Sequence, residues 1–442
     1  MADRPNVIYL HSHDTGRHVQ PYGHAVPTPA IQRLAEEGVL FRRAFATAAT
    51  CSGSRAALVT GQYPHVNGMT GLAHRGWELN DTRQHLVHTL RRAGYFSELI
   101  GEQHVSATPD VLGYDRFHAI DSNHVATVAP LAVGALEGGL PEPFFLSVGF
   151  FETHRRFFEP TSTRDERYAL PPEHLPDLPE VRRDMAHFLA SARSLDGGVQ
   201  QVLAALERTG LDERTLVILT TDHGLPFPGA KATLFDRGLG VSLILRGPGG
   251  FLGGRVQDAM VSHLDLFPTL CDLAGLPHPE YLQGSSLLPL ANGETDRLHD
   301  ELFAEITYHA AYEPQRAVRT DRYKLIRRFD AAKGPVLPNT DDGPTKDALV
   351  ALGWDGWATE EERLHDLLLD PGEGRNLIHD PAYAGVARDL RRRLARWMED
   401  TGDPLLRGPV PLPPRGRAND PRALSADEPL TQLGSELQAT AA

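Results

Sequence analysis

Histidine and aspartate stand side by side at two points where an apolar run of the chain ends. His13 and Asp14 follow "NVIYLHS", and Asp222 and His223 follow "TLVILTT". Carboxylate oxygens and imidazole nitrogens are good ligands for a divalent cation. Two such pairs, brought together from distant parts of the chain, predict a metal site. The alternative is that each pair only caps a loop or lies in solvent.

Further residues could supply a nucleophile, positive charge and proton transfer. Cys51 begins "CSGSR", which ends in Arg55, and the segment looks like a helix start, where a thiolate is stabilised. Arg55 and Lys231, in "GAKATLF", could bind an anionic substrate. His104, in "GEQH", and His154, in "ETH", are candidates for proton transfer.

These residues also have simpler interpretations. A buried cysteine is more often packing than catalytic, and Cys271, on an apolar helical face, is expected in the core. Lys231 would usually be a surface lysine. The chain has 21 histidines, and four of them are expected to stand at their positions by chance: His18, His24, His65 and His74.

The elements that must position these residues alternate between strand and helix. Short apolar runs at 6–12, 143–154 and 215–224 predict buried strands, each ending in polar residues. Segments 28–46 and 196–210 have helical spacing and end near glycine. This alternation predicts an α/β fold with a large, mostly parallel sheet covered by helices on both faces. Ligands of such sheets bind beyond the carboxyl ends of the strands, where these polar residues would meet.

The pattern of predicted elements changes near residue 296. Residues 1–295 are expected to form the catalytic domain, and 296–402 a smaller α+β subdomain with a meander of strands over 300–330 and a basic amphipathic helix over 382–402. The remaining residues, 403–442, are rich in proline and arginine and are expected to form an extended, partly disordered tail. That tail could cross to a neighbouring copy in a homo-oligomer.

Composition excludes several classes of protein. The 442 residues carry a formal charge of −14 and two cysteines, which argues against a nucleic-acid-binding protein and against a disulfide scaffold. No apolar run approaches the roughly 20 residues that span a bilayer, and the N-terminal segment does not resemble a secretory signal. We therefore expect a cytoplasmic protein that acts on a small anionic substrate.

The order of these motifs resembles the sulfatases of the alkaline-phosphatase superfamily. The likeness runs over roughly residues 5–400, through "PNVIYLHSHD", "CSGSRAALVTGQYPHVNGM", "TLVILTTDHG" and "HDLLLDPGEGRNL". The segments "HVNGMTGL", "DHGLPFPGAKATLF" and "RRRLARWMEDTGDPLL" look most like the sulfamidase (heparan N-sulfatase) branch. The resemblance implies an alkaline-phosphatase-like fold and a hydrolase of sulfate esters or sulfamates.

The resemblance also implies a mechanism and a role for each candidate residue. In that family the motif cysteine is oxidised to formylglycine, whose hydrate is the nucleophile, and one divalent ion, usually Ca²⁺, binds the hydrate and the substrate. Cys51 would be the formylglycine precursor and Arg55 the residue that orients it. His104 would contact the nucleophile or the substrate, and His154 and Lys231 would bind the anionic group. The implied metal ligands are His13, Asp14, Asp222 and His223.

Three positions depart from the family pattern. Gly53 stands where proline is usual in the cysteine motif, which bears on whether Cys51 is converted. His13 replaces an aspartate, and with His223 it favours Mn²⁺ or Zn²⁺ over Ca²⁺, which prefers oxygen ligands. Glu102 stands where a lysine is usual. These departures keep two alternatives open: a phosphonate monoester or phosphodiester hydrolase of the same superfamily, and a catalytically impaired relative that binds an anion.

Overall fold

The computed structural model describes residues 4–161 and 164–430. Its larger sheet has nine strands in the order β4–β3–β5–β1–β6–β8–β2–β7, with β9 paired to β2. The strands are β1 (Asn6–Ser12), β2 (Val39–Phe45), β3 (Phe96–Gly101), β4 (Arg116–Phe117), β5 (Phe144–Gly149), β6 (Thr215–Thr221), β7 (Gly240–Val241), β8 (Leu243–Arg246) and β9 (Arg255–Ser262).

The pairing in this sheet is mixed but mostly parallel around its centre. Strand β1 runs parallel to both β5 and β6, and β3 runs parallel to β4 and β5. Strand β8 is antiparallel to β6 and β2, whereas β9 is parallel to β2. The carboxyl ends of β3, β5, β1 and β6 therefore lie at one edge of the sheet, in neighbouring positions.

Helices cover both faces of this sheet. The helices are α1 (Pro29–Glu37), α2 (Cys51–Thr60), α3 (Pro64–Asn67), α4 (Leu86–Arg92), α5 (Val125–Glu137), α6 (Arg164–Tyr168), α7 (Pro179–Arg208), α8 (Asp236–Leu239), α9 (Leu266–Ala274), α10 (Leu288–Ala291), α11 (Pro344–Ala351) and α12 (Ala384–Thr401). Because successive side chains of a strand point to opposite faces, β1 contributes to two cores. Ile8 and Leu10 pack with α1, α5 and α7, while Val7 and Tyr9 lie in the core formed with α2, α4 and α9. The predicted α/β fold is confirmed.

A second, antiparallel sheet follows in the chain. It contains β10 (Glu301–Tyr308), β11 (Tyr312–Thr320), β12 (Tyr323–Arg328) and β13 (Glu362–Asp366), in that order. Helix α12 packs on it through Leu390, Leu394 and Trp397, and the Trp397 ring stacks on Phe303 at a centroid distance of 5.0 Å. The predicted meander and amphipathic helix are both present.

The segment after α12 lies against the body of the molecule. Residues 409–430 contain no helix or strand, yet Ala418 and Asn419 are fully buried. The backbone nitrogen of Asn419 donates to Ala310 O, and Arg75 donates to Asn419 Oδ1 at 2.7 Å. The end of the predicted tail, 431–442, lies outside the described residues. The domain boundaries, the homo-oligomer and the cytoplasmic location remain predictions.

Within the described part of the chain, we find no helix that is both long enough and apolar enough to cross a lipid bilayer.

Candidate active site

The candidate residues meet at the carboxyl edge of the larger sheet. His13 and Asp14 directly follow β1, Asp222 and His223 directly follow β6, and His154 comes five residues after the end of β5. Because β5, β1 and β6 are adjacent and parallel, their ends deliver these side chains to one place. Cys51 is the first residue of α2, Arg55 lies one turn further, and Lys231 lies in the loop between β6 and α8.

The four predicted metal ligands converge. His13 Nδ1 lies 2.9 Å from Asp14 Oδ1 and 3.2 Å from Asp222 Oδ2. His223 Nε2 lies 3.1 Å from Asp14 Oδ1. One ligand atom from each of His13, Asp14, Cys51 and Asp222 lies within 4.8 Å of the others, and all are buried.

The chemistry of this set suits a divalent metal ion. The Nδ1–H of His223 donates to Gly224 O at 3.0 Å, so in the neutral imidazole Nε2 carries the lone pair, which faces the carboxylates. A nitrogen lone pair and a carboxylate oxygen this close repel each other unless a proton or a cation lies between them. Two imidazoles with two carboxylates match the preferences of Mn²⁺ or Zn²⁺ better than those of Ca²⁺.

Charges in this cluster are strongly coupled. Burial alone would lower the pKa of His223, but Asp222 and Asp14 raise it to about 9. Burial would raise the pKa of Asp222, yet His13 and His223 hold it at about 2. Lys231 and the imidazoles likewise hold the pKa of Asp14 well below its usual range against the effect of burial. Each ionisable ligand is therefore stabilised in its charged form by an opposite charge beside it.

Cys51 lies next to this cluster. Its Sγ is 3.4 Å from His223 Nε2, and its side chain is buried. Burial would raise the pKa of the Cys51 thiol, but Lys231, His13 and His223 hold it well below its usual range. The surroundings of Cys51 therefore favour a negative charge at this position. Cys271, by contrast, is buried in α9 and has its pKa raised by burial to about 12.

Arg55 connects the helix to the strand ends. It donates to Asp222 Oδ2 from Nε at 3.2 Å and to the Ser12 carbonyl from Nη2 at 2.9 Å. Its Nη1 donates to His11 Nδ1 at 2.7 Å. Arg55 therefore fixes the position of α2, and with it Cys51, relative to the metal-ligand cluster.

Lys231 and His154 lie beside the second oxygen of the Asp14 carboxylate, Oδ2, whereas His13 and His223 lie beside Oδ1. Lys231 is 2% exposed, and its Nζ donates to Asp14 Oδ2 at 2.8 Å. It also lies 3.3 Å from His154 Nε2, whose ring donates from Nδ1 to the Arg155 carbonyl. Lys231 is not the surface lysine of the simpler interpretation. His154 is about one-quarter exposed and lies where the cluster reaches solvent.

His104 approaches from the β3 side and is joined by a second histidine. Its Nε2 lies 2.7 Å from His74 Nδ1, and the two rings stack at 5.0 Å. Burial and His104 lower the pKa of His74 to about 4, so His74 is neutral and can accept a hydrogen bond. His74 therefore contacts a predicted site residue, a position that the sequence did not indicate. Only its place shortly after the cysteine motif could have pointed to it.

The two other departures from the family pattern have local explanations. Glu102 accepts from Asn123 Nδ2 at 2.8 Å, and His104, His13 and Arg55 lower its pKa against the effect of burial. It therefore adds a negative charge beside the site. A Cβ at Gly53 would lie 2.9 Å from Thr50 Oγ1 and 3.3 Å from the Met69 carbonyl. Glycine at 53 thus matches the close packing of the α2 N-terminus in this chain.

Sequence reasoning missed one acidic residue of the site. Asp341 lies in the segment between β12 and α11, and its Oδ2 is 2.9 Å from Lys231 Nζ. Asp14, His154 and Asp341 form a second group of atoms close enough to hold a cation. No strand end or motif marks "NTDDGP", so the signal was absent from the sequence.

A supporting layer was also missed. Ser54 Oγ donates to the Asp222 carbonyl at 2.5 Å and lies 3.3 Å from His263 Nδ1. Thr220 Oγ1 contacts the other nitrogen of His263 at 3.0 Å. These contacts fix the turn that carries Asp222 and His223.

Comparison with known proteins identifies the class of enzyme. The sulfatase family model matches residues 5–276, and an ulvan-active sulfatase of Formosa agariphila is 29% identical over 91% of this chain and 76% of its own length. A structure solved in complex with its substrate, D-glucosamine-2-N,6-O-disulfate, superposes with a TM-score of 0.73 at 19% identity, covering 92% of this chain and 99% of that one. The chain belongs to the sulfatase family and is a hydrolase of the sulfuric ester or sulfamate type.

A narrower relationship follows from two further matches. The model for the C-terminal region of N-sulphoglucosamine sulphohydrolase matches residues 227–345. Human N-sulphoglucosamine sulphohydrolase is 30% identical, over 91% of this chain and 92% of its own length. The predicted resemblance to the sulfatase family, and to its sulfamidase branch, is confirmed.

Proposed function

We propose that this chain hydrolyses a sulfate ester or sulfamate with a formylglycine derived from Cys51 as its nucleophile. The observation that carries the proposal is the placement of Cys51 Sγ at the α2 N-terminus, 3.4 Å from His223 Nε2. One divalent metal ion is part of the proposal. The residues that would hold it are His13, Asp14, Asp222 and His223.

The two groups that the family implies supply distinct chemistry. The metal ion would act as a Lewis acid toward the sulfuryl oxygens and lower the pKa of a bound hydroxyl. The hydrated aldehyde would offer one oxygen as nucleophile and a second hydroxyl through which the sulfate product is expelled.

Residues of this chain would bind the anionic sulfuryl group of the substrate and supply the proton that the leaving atom takes up. Lys231 Nζ, shared between Asp14, Asp341 and His154 in the free protein, would turn one of its three N–H groups to a sulfuryl oxygen when the substrate binds. His154 Nε2 lies 3.3 Å from that ammonium and at the exposed side of the site, where the leaving oxygen or nitrogen would be. Burial and Lys231 lower the pKa of His154, so in the free protein its Nε2 accepts from the Lys231 ammonium; a bound anionic substrate favours the protonated ring, which could then pass its proton to the leaving atom. Arg55 holds Asp222 and the start of α2 in a fixed relative position during these steps.

A substrate and metal panel tests this function. We expect turnover of p-nitrophenyl sulfate or of a sulfamate such as glucosamine N-sulfate, with Mn²⁺ or Zn²⁺ at least as effective as Ca²⁺. Turnover should be lost in Cys51→Ala and kept in Cys271→Ala, a matched control at the other cysteine. Turnover only of a p-nitrophenyl phosphodiester would contradict the proposal and favour the phosphodiesterase alternative, for which the two histidines among the ligands are the supporting observation.

A further inference from the structure

The segment that follows α12 packs against a loop of the candidate active site. The backbone nitrogen of Arg417 donates to the Arg75 carbonyl at 2.9 Å, next to His74. Gly76 has a φ of +95°, and a Cβ at this position would collide with the Arg415 carbonyl, so glycine permits the close approach. Residues 415–428, which the sequence placed in a free tail, therefore border the loop that carries His74.

Asn419 anchors this segment to that loop. Its side chain is fully buried, its Oδ1 accepts from Arg75 Nη1 at 2.7 Å, and its Nδ2 donates to the Glu428 carbonyl at 2.9 Å. Its backbone nitrogen donates to the Ala310 carbonyl at 2.8 Å, and the same carbonyl accepts from Arg75 Nη1 at 3.0 Å. Both ends of the Asn419 amide are thus used, and loss of either contact would leave a buried polar group without its partner.

Arg75 connects this anchor to His74. The two residues are neighbours in the short 3-10 helix Ala73–Arg75. The Arg75 guanidinium also donates from Nη2 to the Ala426 carbonyl at 3.3 Å, so the C-terminal segment binds it at two points. Because the helix is a single turn, fixing the Arg75 side chain limits the movement of the adjacent His74 ring.

His74, in turn, bears on which nitrogen of His104 is left for the reaction. The neutral His74 ring can accept at Nδ1 from His104 Nε2, 2.7 Å away. His104 Nδ1 is buried and, among residues 4–161 and 164–430, has no hydrogen-bond partner. A neutral imidazole that donates from Nε2 carries its lone pair on Nδ1. Since one ring nitrogen of His104 lies within 4.8 Å of Cys51 Sγ, Nδ1 is the nitrogen available to the nucleophile or the substrate.

We propose that Asn419 is a positioning residue of the active site, which acts through Arg75 and His74 to hold His104 with the lone pair on Nδ1. The inference rests on the proposed function for the chemical step, and it adds the C-terminal segment 415–428 to the site that performs it. Asn419 acts only through these other residues and is not itself a catalytic residue.

Steady-state kinetics on a sulfate ester or sulfamate test this role. Asn419→Ala should lower kcat about tenfold with little change in KM, because it displaces His104 and not the groups that bind the sulfuryl oxygens. Asn419→Asp keeps the oxygen that accepts from Arg75 and should recover most of the loss. In a His74→Ala background, Asn419→Ala should cause no further loss, because the two residues act in one chain of contacts. The control is Arg422→Gln, at an exposed arginine of the same segment, and it should leave kcat unchanged.

NMR of isotope-labelled histidine nitrogens in the Cys51→Ala protein gives a second readout that needs no turnover. His104 should carry its proton on Nε2, and Asn419→Ala should shift the ring toward a mixture with the Nδ1–H tautomer, whereas Arg422→Gln should not. The backbone hydrogen bond from Asn419 to Ala310 is kept in each variant at position 419, so the segment should stay attached.

The outcomes separate this inference from the proposed function. An unchanged His104 tautomer in Asn419→Ala would overturn the positioning role, whatever the kinetics show. A loss of kcat that is equal with and without His74 would overturn it as well. If the wild-type protein cleaves no sulfate ester or sulfamate while the tautomer change persists, the proposed function fails and the positioning role of Asn419 stands.

Discussion

Two buried clusters of charge in this molecule differ in a way that separates function from structure. In the second sheet, the fully buried Arg316 makes a two-pronged pair with Asp403, at 2.5 and 3.0 Å, and donates to the Ile306 carbonyl. At the edge of the first sheet, Asp14 is equally buried, yet its neighbours are three imidazoles, a lysine and, beyond them, a thiol. The first cluster is complete in itself, whereas the second gathers ligand atoms around one point.

The difference is also one of access to solvent. Arg316 and Asp403 are sealed from water, whereas His154 and Asp341 are about one-quarter and one-fifth exposed. A complete, closed pair stabilises the fold or fixes its geometry. An open cluster with displaced pKa values is what binding and catalysis require. Burial of charge by itself would not have distinguished the two.

The largest expected effect is at Cys51. Cys51→Ala removes the proposed nucleophile from the open cluster and should lower kcat/KM by about 1000-fold or more, with a change of only a few degrees in Tm. Steady-state kinetics on a sulfate ester and thermal unfolding measure the two quantities. Activity near that of the wild type would show that position 51 does not carry the reaction.

For the closed cluster of Arg316 and Asp403, we expect a loss of stability without a loss of activity. Arg316→Met leaves Asp403 buried without a counter-charge, and Glu305 with His65 as its remaining partner, and should destabilise the fold by about 3–5 kcal/mol, seen as a lower Tm. The fraction that stays folded at low temperature should keep its kcat. Arg392→Met, at an exposed pair on α12, is the control and should change stability by less than about 0.5 kcal/mol. A large loss of kcat in folded Arg316→Met would remove the distinction between the clusters.

Glu313, between the second sheet and the loop that carries Lys231, shares one property with each cluster. It is buried, like the Arg316–Asp403 pair, and its pKa is displaced, like those of the open cluster. Burial raises its pKa to about 7, although Arg328 and Asn339 oppose the shift. A carboxyl with a raised folded-state pKa adds stability below its unfolded pKa of 4.5, and that stability is lost as pH rises toward 7.

Glu313→Gln, which resembles the neutral acid, should therefore gain stability relative to the wild type by about 3 kcal/mol at most between pH 4.5 and pH 8. Thermal unfolding of both proteins across this range provides the measurement. A constant difference between the two proteins would mean that Glu313 is ionised throughout.

We expect a smaller effect on kcat at Asp341, a residue that no sequence pattern indicated. Asp341→Asn loosens Lys231 and should lower kcat about tenfold with little change in KM, and Asp341→Glu should restore part of it. Asp342→Asn is the control, because Asp342 is next in sequence but pairs with Lys346. Steady-state kinetics of the three variants test whether the effect is specific to Asp341. Equal losses of kcat in Asp341→Asn and Asp342→Asn would assign the effect to the loop as a whole.

The sequence predicted the part of the molecule that is encoded locally. Runs such as 6–12 and 215–221 are apolar, rich in β-branched residues and followed by polar residues, so the strands and the side chains at their ends could be located. The parallel order of the strands then brought His13, Asp14, Asp222 and His223 together without further information. The second sheet was predicted from the same kind of local pattern.

The missed residues depend on contacts between distant segments. Asp341 contacts Lys231 from 110 positions away, His74 contacts His104 from a short 3-10 helix, and His11 and His263 lie behind the residues that form the site. His11 lies at the end of β1 and His263 directly follows β9, but neither position by itself shows which site residue the side chain contacts. Packing of the second subdomain and of the loops, which local patterns do not encode, decides which of the 21 histidines belong to the site.

The central claim is that the open cluster serves a nucleophile made from Cys51. Peptide mass spectrometry of the segment around Cys51, in protein purified from its native host, tests it most directly. We expect the mass of formylglycine, or of its hydrate, at position 51, with Cys271 unmodified in the same sample. An unmodified thiol at Cys51 in protein that turns over sulfate esters would contradict it.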